Sequence, residues 1–292
     1  MKHTSLTVLL LLAACAATAE VKFVKVLSVG NSFSRNAHHY LPQITEAAGC
    51  RIVLKNAYIG GCDFERHMRH VDAFEANPND KEGKPYEGKS LRELLEMEEW
   101  NYVTIQQASP KSFKFETFHP HVDRLIAYIK KYAPKAEIVI HQTWAYRSDH
   151  PFWGRTDFND DIMYTQLKET YGKLAQETGF RIIPCGDAFA RAKASKDWGP
   201  FIPDPNFKRE TAVKPNLPNE KRSLHAGYSW KENKLTFDGF HANTAGEYLQ
   251  GCVWFEFFFK KSCLGNTFTP KGMNTEDALI LQEIAHQTLH QK

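Results

Sequence analysis

Short apolar runs rich in β-branched residues alternate with helical patterns along most of this chain, and this alternation restricts the fold more than any other feature. Strands that are apolar along most of their length are typical of sheets covered by helices on both faces. Strands separated by helices predict βαβ units and therefore a parallel sheet. The strand candidates are Phe23–Val29, Arg51–Ala57, Tyr102–Gln106, Glu137–His141 and Phe180–Ile183.

Helical patterns lie between and after these strands. In Phe118–Tyr132 the apolar residues recur every three or four positions and form one stripe. Asp160–Thr178 is followed by Gly179, a residue suited to end a helix. Ala242–Lys260 ends in an aromatic cluster that we expect to pack in the core. A last helix is predicted near Glu276–His290, at about residues 275–290.

Two polar segments interrupt this rhythm, Asn77–Lys89 and Trp198–Tyr228. The second is long and contains five prolines, so it predicts an irregular excursion over the surface. Loops of that length commonly form a lid or one wall of a binding site. Neither segment is typical of a linker between domains, and the sequence has no internal repeat. We therefore predict a single domain over residues 20–292.

The first 19 residues are typical of an export signal. Lys2 precedes the apolar run Leu6–Ala14, which is too short to cross a bilayer, and Ala17-Thr18-Ala19 is a small-residue cleavage site. We predict an exported protein, periplasmic or extracellular, with no membrane span. Cys15 leaves an alternative, a lipoprotein signal in which that cysteine carries a lipid anchor.

Charge and cysteine content exclude two classes of function. Lys and Arg number 37 against 34 Asp and Glu, a formal net charge of +3, which predicts no nucleic-acid partner. Without Cys15 five cysteines remain, and their spacing shows no C-x-x-C zinc pattern. Cys252 and Cys263 are near enough in sequence for a local disulfide, and buried free thiols are the alternative.

The candidate site lies in the segments that follow the strands, because ligands bind beyond the carboxyl ends of an open parallel sheet. We expect all of these segments at the same edge of the sheet. They are Gly30-Asn31-Ser32, Ile59-Gly60-Gly61, Gln106-Gln107-Ala108-Ser109, Gln142-Thr143-Trp144 and, before the last long helix, Asp238-Gly239-Phe240-His241.

These segments contain the groups that nucleophilic catalysis needs. Ser32 at a strand-to-helix turn exposes its hydroxyl, and the helix N-terminus favours developing negative charge. His241 would accept the serine proton, and Asp238, three residues earlier, would hold the imidazole in the right tautomer. A backbone N–H at Gly61 and a side-chain amide after the third strand would stabilise an oxyanion.

The same segments resemble the blocks of the SGNH (GDSL) hydrolase superfamily. Gly30-Asn31-Ser32 is similar to the first block, with Asn31 where Asp is usual, and Asn56-Ala57-Tyr58-Ile59-Gly60-Gly61 to the second, with Gly61 as the oxyanion glycine. Asp238-Gly239-Phe240-His241-Ala242-Asn243 resembles the last block, D-x-x-H, the most specific of them. The blocks follow in family order over almost the whole chain after the export signal.

The resemblance implies a flavodoxin-like three-layer α/β/α sandwich with a central, mainly five-stranded parallel sheet. It also implies a serine esterase that works through an acyl-enzyme without a cofactor. Ser32, Asp238 and His241 would be catalytic, and the N–H groups of Ser32 and Gly61 would form the oxyanion hole.

The third block departs from the usual Gly-x-Asn-Asp. Its leading glutamine resembles carbohydrate and sialate O-acetylesterases of the superfamily, so either Gln106 or Gln107 would donate to the oxyanion. The expected substrate is a small, acetyl-type ester on a carbohydrate. Asn31, Trp144 and Tyr146 are expected to contact it, since aromatic faces stack on sugar rings.

The same residues fit other interpretations. Taken singly, Ser32 or Asp238 is as well explained as a helix cap or turn residue, and only the joint pattern favours catalysis. A lipase or thioesterase, or a glycan-binding protein without activity, would fit the same scaffold. The 13 histidines include His38-His39, His67 with His70, and His119 with His121, but none has a clear third ligand. We therefore predict no metal site and expect these histidines to be exposed or capping, with a metal-dependent hydrolase as the alternative.

Overall fold

The computed structural model describes residues 22–155 and 157–291. The predicted export signal, with Cys15, lies outside the described residues. Within the described part of the chain, no helix is long and apolar enough to cross a membrane.

A five-stranded parallel sheet forms the centre of the molecule, in the order β2-β1-β3-β4-β5. Each strand is short and largely apolar because both faces of the sheet are covered. The strands are β1 (Phe23–Gly30), β2 (Arg51–Tyr58), β3 (Tyr102–Ile105), β4 (Glu137–His141) and β5 (Ile182–Ile183).

Nine helices are described. They are α1 (Ser32–His38), α2 (Leu41–Ala47), α3 (Phe64–Ala76), α4 (Leu91–Leu95), α5 (His121–Tyr132), α6 (Asp160–Thr178), α7 (Cys185–Ala194), α8 (Thr244–Phe259) and α9 (Thr275–His290). Helix α6 has the predicted bounds, and Gly179 ends it in the left-handed conformation, with φ of 72°. Helix α5 begins three residues later than its apolar stripe suggested.

Alternate side chains of the strands enter two separate cores. Val24 and Val26 of β1 pack with residues of α1, α2, α7, α8 and α9 on one face of the sheet. Leu27 and Val29 point to the other face and pack with residues of α3, α4, α5 and α6. The predicted three-layer α/β/α sandwich is therefore confirmed.

A separate antiparallel hairpin is the main element that the sequence pattern did not predict. It consists of β6 (His225–Lys231) and β7 (Lys234–Ala242), joined by a two-residue turn in which Glu232 has φ of 54°. Its pairing shifts in register between His225 and Gly227. The Asp238-to-His241 segment thus lies on this hairpin, and not on a turn that follows a strand of the parallel sheet.

The aromatic cluster of α8 is buried in the core, as expected. All five cysteines in the described part of the chain are free and buried, so the alternative of buried thiols applies and Cys252 and Cys263 form no disulfide.

Candidate active site

Ser32 is the first residue of α1, directly beyond the carboxyl end of β1. Asn31, and not Ser32, caps the helix, because its Oδ1 accepts the N–H of Phe33 at 3.1 Å. The interpretation of Ser32 as a capping residue is therefore wrong, and its hydroxyl is free for another partner. Its neighbours Asn31, Phe33 and Ser34 are all buried, which fixes the backbone on both sides of the serine.

That partner is His241, which the hairpin brings across from 209 residues away in sequence. Nε2 of His241 lies 2.7 Å from Oγ of Ser32, and Nδ1 lies 2.7 Å from Oδ2 of Asp238. The other carboxylate oxygen of Asp238 accepts the backbone N–H groups of His241 at 3.0 Å and Phe240 at 3.3 Å. Asp238 therefore fixes the backbone at Phe240 and His241 and orients the imidazole at the same time.

The charge of Asp238 is stabilised by these contacts. Burial alone would raise its pKa, but hydrogen bonds from the ring and the backbone of His241 outweigh it and lower the pKa from 3.8 to about 2. The carboxylate is therefore ionised throughout the neutral range. An ionised carboxylate at Nδ1 keeps a proton on that nitrogen and leaves Nε2 free to accept one from Ser32.

Arg147, which the sequence pattern did not single out, anchors the hairpin to the loop after β4. Its backbone N–H donates to Gly239 O at 2.7 Å, and its guanidinium, with only 1% of the side chain exposed, holds Asp149 through two nitrogens at 2.7 and 3.0 Å. Nη1 donates to Glu220 at 2.5 Å. The guanidinium also stacks 4.8 Å from the ring of Phe237 on β7.

Glu220 connects the guanidinium of Arg147 to β6. Its carboxylate accepts the N–H of Tyr228 at 3.1 and 3.2 Å and lies directly over Gly227. A Cβ at Gly227 would come within 2.2 Å of that carboxylate, and the residue has φ of 73°, so only glycine fits there. The ion-paired set of Arg147, Asp149 and Glu220 therefore joins the hairpin to the rest of the molecule.

Ser32, Asp238 and His241 line a pocket of about 750 Å³. The N–H of Ser32 is in the first turn of α1, where no intrahelical acceptor exists. Gly61 borders the same pocket with φ of 62°, a conformation that favours glycine. Among residues 22–155 and 157–291, neither N–H has a hydrogen-bond acceptor, so both are free to bind an oxyanion.

The predicted oxyanion role of Gln106 and Gln107 is not supported by their positions. Both side chains are buried and neither borders the pocket. Gln106 donates to Asn31 Oδ1 at 2.8 Å and contacts His141 at 2.9 Å. Gln107 donates to Thr117 O at 3.0 Å. Both amides connect neighbouring loops, and Ser109 is the polar side chain of this segment that reaches the pocket.

The prediction that Trp144 contacts the substrate is wrong. Its ring is fully buried, stacks 4.1 Å from Phe33, and donates to Phe240 O at 2.9 Å. Trp144 therefore packs against the neighbours of Ser32 and His241. Asn31 borders the pocket but is buried, with its amide donating to Cys62 O at 2.9 Å. Tyr146 borders the pocket and contacts Ser109 Oγ at 3.1 Å through its hydroxyl, so its substrate role stays a prediction.

Three of the histidines noted in the sequence contact separate partners within the protein. His67 and His70 on α3 are buried, contrary to expectation, and contact Tyr86 and the Glu82 carbonyl at 2.8 and 2.7 Å. His119 uses opposite ring nitrogens to bind two exposed carboxylates, Asp123 and Glu177.

Solved structures provide a comparison for this arrangement. A DUF4886 family protein from Bacteroides uniformis ATCC 8492 is 26% identical, with a TM-score of 0.70 over 92% of this chain and 95% of that chain. A candidate SGNH hydrolase from Slackia heliotrinireducens is 19% identical, with a TM-score of 0.49 over 80% and 98%. A member of the lipolytic protein G-D-S-L family from Veillonella parvula DSM 2008 is 12% identical, with a TM-score of 0.45 over 82% and 100%.

The last two similarities are too low to assign an activity, and no curated protein matches the chain. The first covers nearly all of both chains and has the same architecture. The sequence model of that family, described as a domain of unknown function, matches residues 25–210. The chain therefore belongs to the DUF4886 family.

Proposed function

We propose that this protein is a serine esterase with Ser32 as its nucleophile. The observation that carries the proposal is the continuous hydrogen-bonded chain from Asp238 through His241 to Ser32 at the wall of an open pocket. A serine hydroxyl is a weak nucleophile unless a base accepts its proton as it attacks. Nε2 of His241 is within hydrogen-bond distance of that proton, and ionised Asp238 stabilises the imidazolium that forms.

The reaction then follows in two halves. Oγ of Ser32 attacks the ester carbonyl while its proton moves to His241, and the N–H groups of Ser32 and Gly61 stabilise the oxyanion. The intermediate collapses to an acyl-enzyme as His241 gives the proton to the departing alcohol. A water molecule, deprotonated by His241, attacks the acyl-enzyme, and the carboxylic acid leaves as Ser32 regains its proton. No cofactor takes part in any of these steps.

Ser109 is the best candidate for a third oxyanion donor. It follows the two glutamines in the third block, borders the pocket, and has a hydroxyl that contacts Tyr146 at 3.1 Å. A hydroxyl donates a hydrogen bond as an amide does, so it would occupy the role that the sequence resemblance gave to an amide.

The substrate that we propose is a small acyl ester, acetyl in the first place, on a carbohydrate. The pocket carries polar and charged groups around the serine, among them Arg35, Asn36 and Lys111, which suit hydroxylated substrates. Tyr58 and Tyr146 add aromatic surface for a sugar ring. Long acyl chains would favour a groove free of charged side chains, and Arg35, Asp63 and Lys111 are among the residues that line this pocket.

Export would bring the enzyme into contact with such glycans. The basic residue, apolar run and small-residue site within residues 1–19 support a periplasmic or extracellular location, with a lipid anchor on Cys15 as the alternative. Fractionation of cells that express the full chain tests this, with Cys15→Ser as the variant. Release of both proteins into the soluble fraction favours the soluble form, and membrane retention that Cys15→Ser abolishes favours the anchor.

Ester hydrolysis tests the activity. Initial rates are measured on p-nitrophenyl acetate, butyrate and octanoate, and acetate release is measured on acetylated polysaccharide. The Ser229→Ala variant, which loses an exposed hydroxyl on the hairpin, is the control for Ser32→Ala. We expect rates to fall from acetyl to octanoyl and Ser32→Ala to be inactive. A preference for octanoate would indicate a lipase, and failure on every ester would favour the glycan-binding interpretation.

A further inference from the structure

A buried carboxylate at the far end of α8 has no role in the proposed ester chemistry. Glu256 lies among the buried aromatic residues of that helix, and 1% of its side chain is exposed. It is about 18 Å along the helix from Thr244, at the end nearest the catalytic pair. A carboxylate that is buried without charged partners is strongly destabilising, so its surroundings must compensate for the lost hydration.

Those surroundings are two histidines of the last helix. His286 and His290 of α9 are four residues apart and therefore lie on one helix face. Nδ1 of His286 is 3.1 and 3.2 Å from the two oxygens of Glu256, and Nε2 of His290 is 3.0 Å from Oε2. One ring nitrogen of each histidine thus contacts the Glu256 carboxylate between the two helices.

The geometry of this cluster matches a metal-binding set. One ligand atom from each residue lies within 4.8 Å of the other two. Atoms that bind one ion at about 2.1 Å in a tetrahedral arrangement lie roughly 3.4 Å apart. Two imidazoles with one carboxylate form a common zinc set, whereas Mg²⁺ and Ca²⁺ prefer oxygen ligands throughout. We propose that Glu256, His286 and His290 bind one Zn²⁺ ion.

Neighbouring groups hold the ligands in place and supply a fourth position. The N–H of Cys263 donates to Oε1 of Glu256 at 2.7 Å, an outer contact of the kind that orients ligands. The hydroxyl of Ser262 is 3.3 Å from both Oε1 of Glu256 and Nδ1 of His286, so it, or a water, would complete the tetrahedron.

The bound ion would fasten the end of the chain to the core. Helix α9 packs on α8 through the apolar residues Ala278, Leu281, Ile284 and Ala285. The cluster adds a link near the end of the helix, where helices otherwise fray. A ligand that binds only the folded state stabilises it, so Zn²⁺ would raise the melting temperature.

Calorimetric titration of the purified full chain, freed of metal with a chelator, tests the proposal with Zn²⁺ and with Mg²⁺ as the comparison ion. We expect one equivalent of Zn²⁺ to bind, Mg²⁺ to show no binding, and excess Zn²⁺ to raise Tm by about 4 °C. His290→Ala, at a half-exposed position, should fold normally and bind Zn²⁺ at least about ten-fold more weakly. Glu256→Gln should lower the affinity further while keeping the side-chain shape.

His119→Ala is the matched control. That histidine also contacts two carboxylates, but through opposite ring nitrogens that cannot share one ion, so its loss should leave Zn²⁺ affinity unchanged. Absence of Zn²⁺ binding by the unaltered protein would overturn the proposal. Equal affinity in His290→Ala would also overturn it, as would a loss of affinity in His119→Ala as large as that in His290→Ala.

Discussion

The two halves of the candidate active site are held in place by different means. Ser32 follows β1, a central strand of the parallel sheet, and its neighbours Asn31, Phe33 and Ser34 are buried. Asp238 and His241 lie on β7, most of whose residues are only partly buried. The two cores fix the backbone around Ser32, whereas the strand that carries Asp238 and His241 is held by polar contacts and by the packing of Phe240 and Ala242.

Because the hairpin is less buried than the backbone around Ser32, its contacts with the ion-paired set of Arg147, Asp149 and Glu220 are important for its position. Arg147 links the loop after β4 to Gly239, to Glu220 and, through Glu220, to the N–H of Tyr228. Most hairpin residues are only partly buried, so we expect these polar contacts to help hold Asp238 and His241 against Ser32. We infer that the activity is more sensitive to damage at these anchors than the stability of the sheet is.

The largest expected effect is on the sheet side of the site. Ser32→Ala removes the proposed nucleophile, so kcat should fall by about 10⁴-fold or more. Because Asn31 caps α1, the free energy of unfolding should change by no more than about 0.5 kcal/mol. Ester hydrolysis and urea unfolding measure the two effects. Retained turnover in a folded Ser32→Ala protein would place the nucleophile elsewhere.

Substitutions of His241 and Asp238 on the hairpin should lower kcat by different amounts. His241→Ala leaves Ser32 without a base, and we expect a loss of kcat nearly as large as that of Ser32→Ala. Asp238→Asn should cost less, about 10²- to 10⁴-fold, since the amide keeps the size of the side chain but does not stabilise an imidazolium. Steady-state kinetics of the two variants provides the ranking. A smaller loss for His241→Ala than for Asp238→Asn would contradict the assigned roles.

Loss of the anchor should affect both activity and stability. Arg147→Met leaves Asp149 and Glu220 without their cation, so unfolding should become easier by about 3 kcal/mol. A small displacement of the catalytic pair should lower kcat by about 10- to 100-fold. Arg181→Met is the matched control, since Arg181 holds Glu137 through two nitrogens at an exposed position. An equal effect in the two variants would show that the Arg147 side chain does not anchor the hairpin.

The smallest effect is a pH dependence of stability that arises on the hairpin. The folded pKa of Asp238, about 2, is below its ordinary 3.8, so its contribution is fully present above about pH 4 and is lost as the pH falls toward 2. Because about a third of the side chain is exposed, we expect only about 1 kcal/mol. The free energies of unfolding of the unaltered protein and of Asp238→Asn, measured as a function of pH, should converge over that range. A constant difference between the two free energies would show that the folded state does not stabilise the carboxylate.

The sequence predicted the sheet half of the molecule well, for physical reasons. Short apolar strands such as Glu137–His141 are recognisable because both of their faces are buried, and Gly179 marked the end of α6. The joint pattern of Ser32, Asp238 and His241 also predicted three side chains that the structure brings together.

The hairpin half was harder to predict. The turn at Glu232-Asn233 lacks the glycine that usually marks a two-residue hairpin, and β6 is only partly buried. The sequence does not distinguish Arg147 from a surface arginine, because its contacts with Asp149 and Glu220 are visible only in the structure. Trp144 follows β4 as a substrate-binding residue would, but Phe33 and Phe189 cover its two faces. Contacts between distant segments decide all of these cases, and they are not encoded in local periodicity.

We propose that His241 on the hairpin activates Ser32 beside the sheet. Labelling with a fluorophosphonate, followed by peptide mass mapping, tests it most directly, because the reagent reacts with an activated serine and marks its position. We expect a single adduct on Ser32, and labelling slowed by about 10³-fold or more in His241→Ala. An adduct on another serine, or equally fast labelling of Ser32 without His241, would contradict the account.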